Sequence, residues 1–134
     1  MWLVLLLGLV NALMSFIGNR IIHFSGFDIA PVGVLICVWH GENVFFSSLV
    51  LVLSYSVVSP KELRYLWITL PVTLLLGFLA PVIPNAYLLI ILYHIIGVLA
   101  ALLFQYFGAK YVMFILMNLS LNFIVARFYN AVFT

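Results

Sequence analysis

A dense polar group interrupts the apolar sequence at His40, Glu42 and Asn43. Such a group could respond to protons, hold a cation or contact a polar ligand, because ionisable residues inside a membrane segment usually face a cavity or an interface. The same stretch, HGEN, could instead form a simple turn where the chain meets water, and we favour that interpretation. A functional role gains weight if Glu42 lies well inside one continuous helix.

A second candidate site residue is His94, near the middle of the apolar run 86–107, with Gly97 and Ala101 on the same helical face. Small residues let two helix backbones approach closely, so we expect a close helix contact with His94 hydrogen-bonded across it. The alternative is a redox subunit in which His94, alone or with His40, ligates haem or a pigment. A reduced-minus-oxidised spectrum without a Soret band would remove that alternative, and we expect no cofactor and no bound metal.

Polar side chains also mark the last and the first apolar segments. Asn118 and Asn122 are four residues apart and share a helical face, and Arg127 follows near the helix end, where it can reach the headgroups. The first segment has a related arrangement in Asn11 and Ser15. Both helices are therefore expected to form hydrogen bonds within a bundle or to a partner.

The elements that position these side chains are membrane helices. Of 134 residues, 68% are hydrophobic and only 6% are charged, whereas soluble domains carry about 25% charged residues. Eight charged side chains cannot cover a surface that faces water. We predict an all-α integral membrane protein, a multi-pass bundle of 4–6 transmembrane segments that forms a single domain over residues 1–134. Residues 1–18 lack a charged start and a cleavage site, so they are interpreted as the first span rather than a signal peptide.

The segment 29–58 is predicted to be broken or re-entrant. As one helix it would be about 45 Å long, against a hydrocarbon core of about 30 Å, and the HGEN stretch interrupts it. One alternative is a long tilted helix with a polar break, and the other is a helix pair that turns at 40–43. The pair fits the positive-inside rule better, because it leaves Arg127 alone and places the other four basic residues on one side: Arg20, Lys61, Arg64 and Lys110. It also requires two unusually short crossings, so we give the two alternatives equal weight.

Local signals define several helix ends. Asp28 can cap the next helix, with Pro31 in its first turn. The stretch 59–62 (SPKE) has the pattern of a capping box. Pro71 is expected to kink the following helix, and residues 81–85 are expected to form a tight turn.

Several functions are excluded or disfavoured. A scattered net charge of +2 gives no footprint for nucleic acid. The single cysteine, Cys37, permits no internal disulfide, and no catalytic Ser/His/Asp or paired-carboxylate set is apparent, so we expect no enzyme.

We therefore expect a small transport- or translocation-associated protein of the lipid bilayer that acts as a homo-oligomer or with other membrane subunits. The main alternative is a structural or accessory subunit of a larger membrane complex, with the polar stripes of the first and last helices covered by other chains. The residues expected to line a cavity or a shared interface are His40, Glu42, His94, Asn118, Asn122 and Arg127.

Overall fold

A computed structural model describes residues 1–21, 27–58, 65–105 and 108–133, and within these ranges the chain consists of helices and short turns. Six α-helices cover the described residues: α1 (Trp2–Phe16), α2 (Ala30–Trp39), α3 (Val44–Val58), α4 (Leu66–Leu79), α5 (Ala86–Leu103) and α6 (Ala109–Phe133). A π-helical turn, Ile17–Ile21, extends α1. The all-α class is confirmed.

Three helical stretches among the described residues are long and apolar enough to cross a membrane: Trp2–Arg20, Ala86–Leu103 and Ala109–Phe133. Their outer faces carry large apolar side chains, such as Trp2, Leu103 and Phe128, that are more than two-thirds exposed. An apolar exterior of this extent is typical of a surface that contacts lipid. The helices α2, α3 and α4 are shorter.

The segment 29–58 adopts the helix-pair alternative. Helix α2 ends at Trp39, and α3 begins at Val44 after a turn over residues 40–43. Gly41 has a φ of +80°, which favours glycine. The side chain of Asn43 then accepts a hydrogen bond from the backbone N–H of Phe46 at 3.0 Å and caps α3.

Side-chain contacts fix which helix ends meet. The amino group of Met1 pairs with Glu42, so α1 starts beside the 40–43 turn. The indole of Trp39 donates to the carbonyl of Ala80, which places the end of α4 there too. His40 lies against Phe133, near the end of α6. We call this end of the bundle the turn end.

At the other end, the rings of Trp67 and Phe104 meet at 4.8 Å, so the start of α4 lies beside the end of α5. The exposed side chains of Arg20 and Lys110 lie at this end, whereas Arg127 is close to the turn end. We call the end where Trp67, Phe104, Arg20 and Lys110 lie the basic end. The two remaining basic residues of the predicted pattern, at 61 and 64, fall outside the described residues, as does the predicted capping box at 59–62.

Helix α2 is short and forms the centre of the bundle. Its ten residues span about 15 Å, and residues 30–37 are all buried. It packs against α1, α3, α4, α5 and α6. Close packing depends on small residues: a Cβ on Gly33 would lie 3.1 Å from Leu51, and one on Gly77 would lie 2.7 Å from Val44 and 3.2 Å from Val34.

The remaining helix ends agree with the sequence. Residues 80–82 form a turn, and the side chain of Asn85 then caps α5 by accepting from the backbone N–H of Leu88 at 3.1 Å. Helix α4 continues through Pro71. The hydroxyl groups of Thr69 and Thr73 bond back to carbonyl groups one turn earlier in that helix.

Candidate functional site

The start of α2 lies halfway along the bundle and is held on one side by Asn11 of α1. The carbonyl oxygen of the Asn11 side chain accepts from the backbone N–H of Ile29 at 2.8 Å. Its amide nitrogen lies 3.0 Å from Asp28 Oδ1, 3.1 Å from the carbonyl oxygen of Leu51 and 3.2 Å from Ser54 Oγ. The Asn11 side chain is fully buried. Through these hydrogen bonds it connects α1 with α3 and with the start of α2.

Two asparagines of α6 hold the same segment on the opposite side. Asn118 Oδ1 accepts from the backbone N–H of Asp28 at 2.7 Å, and Asn122 Oδ1 accepts from that of Val32 at 3.1 Å. The amide nitrogen of Asn122 donates to the carbonyl oxygen of Asp28 at 2.9 Å. The expectation that the polar stripes of the first and last helices form hydrogen bonds within the bundle is confirmed. We call Asn11, Asn118 and Asn122 the asparagine clamp.

The asparagine clamp provides hydrogen-bond partners for the backbone amides at the start of α2. The first amide groups of a helix lack partners within it, and each would be costly to bury unpaired. At α2 the amides of Ile29 and Val32 donate to the clamp, and that of Ala30 donates to Asp28 Oδ1 at 2.9 Å. Pro31 has no N–H to satisfy. Asp28 therefore contributes to the start of α2 through its bond from Ala30, although the N-cap position itself belongs to Ile29, which makes no side-chain capping bond.

Because the clamp asparagines are buried within this chain, they are not available to another chain. The accessory-subunit hypothesis expected a partner to cover these stripes. A partner chain would have to contact a different surface of α1 and α6. The exposed residues of these two helices are mostly apolar.

A cavity of about 280 Å³ lies beneath the start of α2, between α3, α4, α5 and α6. It extends from Asp28 and Pro31 at mid-bundle to Tyr65 and Lys110 at the basic end. Its polar and aromatic lining is Asp28, Tyr55, Ser56, Tyr65, Thr69, Tyr93, His94, Lys110, Tyr111, Phe114 and Asn118.

His94 is placed at the cavity wall as a hydrogen-bond acceptor. Its Nδ1 lies 2.8 Å from the carbonyl oxygen of Ile90, and a carbonyl can only accept, so Nδ1 carries the proton of the neutral ring. The other ring nitrogen, Nε2, then has a free lone pair. The ring packs edge-on against Tyr93. The expected hydrogen bond of His94 across a helix contact is wrong, because its bond to Ile90 stays within α5; a close approach does occur nearby, where a Cβ on Gly97 would lie 3.2 Å from the hydroxyl of Tyr111.

Two hydroxyl groups of the lining also present acceptors. Ser56 Oγ donates to the carbonyl oxygen of Val52 at 3.0 Å, and Thr69 Oγ1 donates to that of Tyr65 at 2.8 Å. A hydroxyl has one proton and two lone pairs. With the proton donated to its own helix, each oxygen keeps lone pairs that can accept from a molecule in the cavity.

Asp28 is the acidic residue of the cavity lining. Its side chain is 7% exposed, and Oδ1 receives the bonds from Asn11 and Ala30. No Lys, Arg or His among the described residues forms an ion pair with this carboxylate; the pair between the Met1 amino group and Glu42 lies at the turn end. A buried carboxylate without a cationic partner is unusual in an apolar interior.

The structure divides the six predicted site residues. His94 and Asn118 line the cavity, and Asn122 lies one turn further along α6. His40 and Glu42 lie at the turn end, where the His40 ring faces Tyr129 with Nε2 3.0 Å from its hydroxyl. Arg127 is exposed on α6.

These positions bear on the haem alternative, because His40 and His94 contact different neighbours in different parts of the bundle. The structure does not bring the two histidines together as a pair. Among the described residues, no group of three or more His, Cys, Asp or Glu side chains could hold a metal ion.

Sequence reasoning missed the two charged residues of the cavity, Asp28 and Lys110, and its two hydroxyl residues, Ser56 and Thr69. Asp28 was interpreted as a helix cap only, although an acidic residue between two apolar segments is itself a signal for a buried site. The contribution of the tyrosines was also missed, since nothing in their spacing shows that four helices bring them together.

The comparisons with known proteins give no relative: no family model matches the chain, and no curated protein or solved structure matches it significantly.

Proposed function

We propose that this chain is a small membrane transport protein that binds its solute in the cavity beneath α2. The observation that carries the proposal is that α2 begins halfway along the bundle, at Ala30, where the adjacent Asp28 and Pro31 line that cavity. Interrupted helices in membrane proteins occur where they line a cavity, and many transporters bind their solutes near the midplane beside such breaks.

The shape of the cavity favours a small solute. At about 30 Å³ per water molecule, a volume of about 280 Å³ is equivalent to roughly nine waters. This suits a metabolite-sized molecule. Helix α2 fills the bundle towards the turn end, so passage of a solute requires α2 or its neighbours to move. A homo-oligomer or a partner subunit would supply the surface against which they move.

Cysteine accessibility tests the proposal. Ile115 lines the cavity, whereas its neighbour Leu116 is 55% exposed on the outer face of α6. In a Cys37→Ala background in oriented vesicles, we expect Ile115→Cys to react with a membrane-impermeant thiosulfonate added to either side, in separate experiments. Reaction requires water, because the thiolate is the reactive form.

Leu116→Cys is the matched control and is expected to react from neither side, since lipid surrounds it. Reaction of Ile115→Cys from both sides indicates a cavity with alternating access. Reaction from one side only, or from neither, would contradict a transport role.

A further inference from the structure

We infer that the solute is a small organic amine, bound as its ammonium cation against Asp28. The inference rests on the proposed function and specifies the chemical class of the solute for that same cavity. Its basis is the polarity of the groups that the cavity presents, taken group by group.

The mid-bundle end of the cavity holds the carboxylate of Asp28, which forms no ion pair with the described residues. Asp28 lies at mid-bundle, is 7% exposed and lines the cavity. Its Oδ1 is used by Asn11 and Ala30, and Oδ2 has no hydrogen-bond partner among the described residues. A cationic ligand would compensate this charge where water is scarce.

Three other polar side chains around the cavity also offer acceptors. The neutral ring of His94 offers the lone pair of Nε2, and Ser56 and Thr69 offer hydroxyl oxygens whose protons are already donated. A molecule with several N–H donors matches this set. Each hydrogen bond from an ammonium group is charge-assisted and therefore stronger than a neutral one.

Aromatic rings complete the match. Five of them line the cavity: Tyr55, Tyr65, Tyr93, Tyr111 and Phe114. The faces of such rings attract cations, and amine-binding sites are commonly built from them.

An anion is disfavoured at the same place, although helix N-termini often bind anions. The amides that would serve it, those of Ile29, Ala30 and Val32, already donate to side chains. Lys110 is exposed at the far end of the cavity, where its ammonium group remains hydrated.

Three probes of nearly equal size and different charge test the inference: phenethylammonium, 2-phenylethanol and phenylacetate. Binding is measured by calorimetry on the full chain in nanodiscs, with empty nanodiscs as the blank for partitioning into lipid. We expect phenethylammonium to bind at least 10-fold more tightly than the alcohol, and phenylacetate not to bind. The comparison needs no variant.

The variant Asp28→Asn then locates the site. Its side-chain oxygen can still accept from Ala30, so the helix start is retained while the charge is removed. We expect a loss of at least 10-fold in the affinity for phenethylammonium. Glu42→Gln makes the same chemical change at the turn end and is expected to leave the affinity within twofold.

The inference is overturned if the alcohol or phenylacetate binds as tightly as the amine, if none of the probes binds, or if Asp28→Asn leaves the affinity for the amine unchanged. These outcomes leave the proposed function to its own test, because labelling of Ile115→Cys does not depend on the charge of the solute. If Ile115→Cys reacts from neither side, both the proposed function and this inference are contradicted.

Discussion

Single asparagine residues stabilise the start of α2 in a way that an apolar residue cannot. The asparagine side chain both donates and accepts, so it can bond to a backbone N–H group and to a backbone carbonyl group at a helix start. The sequence predicted that Asn118 and Asn122 share a face and form hydrogen bonds. It could not predict their partners, Asp28 and Val32, because these lie some ninety residues away in the chain.

We predict that Asn122→Leu destabilises the folded chain by about 1–3 kcal/mol, the usual cost of leaving a buried polar group unpaired. The variant keeps the number and branching of the side-chain heavy atoms but removes the acceptor for the N–H of Val32 and the donor to Asp28. The free energy of unfolding is measured by titration with sodium dodecyl sulfate in mixed micelles.

The control for this variant is Ser120→Ala on the same helix. Ser120 is exposed, and its hydroxyl bonds only to the carbonyl oxygen of Leu116, one turn earlier. Its loss should change the free energy of unfolding by less than about 0.5 kcal/mol. Equal effects of the two substitutions would show that the asparagine clamp does not stabilise α2.

At the scale of elements, the short helix α2 decides the architecture. The sequence predicted a helix start at Asp28 and offered a turn at 40–43 as one of two alternatives, because capping and turn residues act locally. It did not predict that α2 would be the centre of the bundle. A continuous apolar run such as 29–39 has no polar face to reveal its neighbours, so its position depends on packing with five other helices.

Packing of α2, α3 and α4 leads to a second prediction, Gly77→Ala. The added Cβ would lie 2.7 Å from Val44 and 3.2 Å from Val34, closer than side chains normally approach. Both neighbours belong to packed helices, so we expect a destabilisation of about 1–3 kcal/mol, as for other overpacked cores. Thermal unfolding in detergent measures it.

Adding Val44→Ala to Gly77→Ala makes room for the new methyl group. The double variant is expected to recover part of the stability lost in Gly77→Ala, so the two effects are not additive. If Gly77→Ala alone is neutral, the three helices do not pack as closely as described.

At the scale of the whole molecule, the bundle combines an apolar exterior with a polar cavity. The composition predicted the exterior, since few charges are available to cover a surface in water. The cavity could not be predicted, because its lining comes from the start of α2 and from four further helices, and its open space depends on where α2 begins. The basic residues at one end, Arg20 and Lys110, agree with the topology that the helix pair implies.

The most direct test of the account locates the 40–43 turn relative to the membrane. In a Cys37→Ala background in oriented vesicles, His40→Cys and Gly108→Cys are each exposed to an impermeant maleimide added to one side at a time. We predict that His40→Cys is labelled from one side only and Gly108→Cys only from the other. Labelling of both positions from the same side, or protection of His40→Cys until detergent is added, would contradict a bundle in which α2 returns from mid-membrane to the surface.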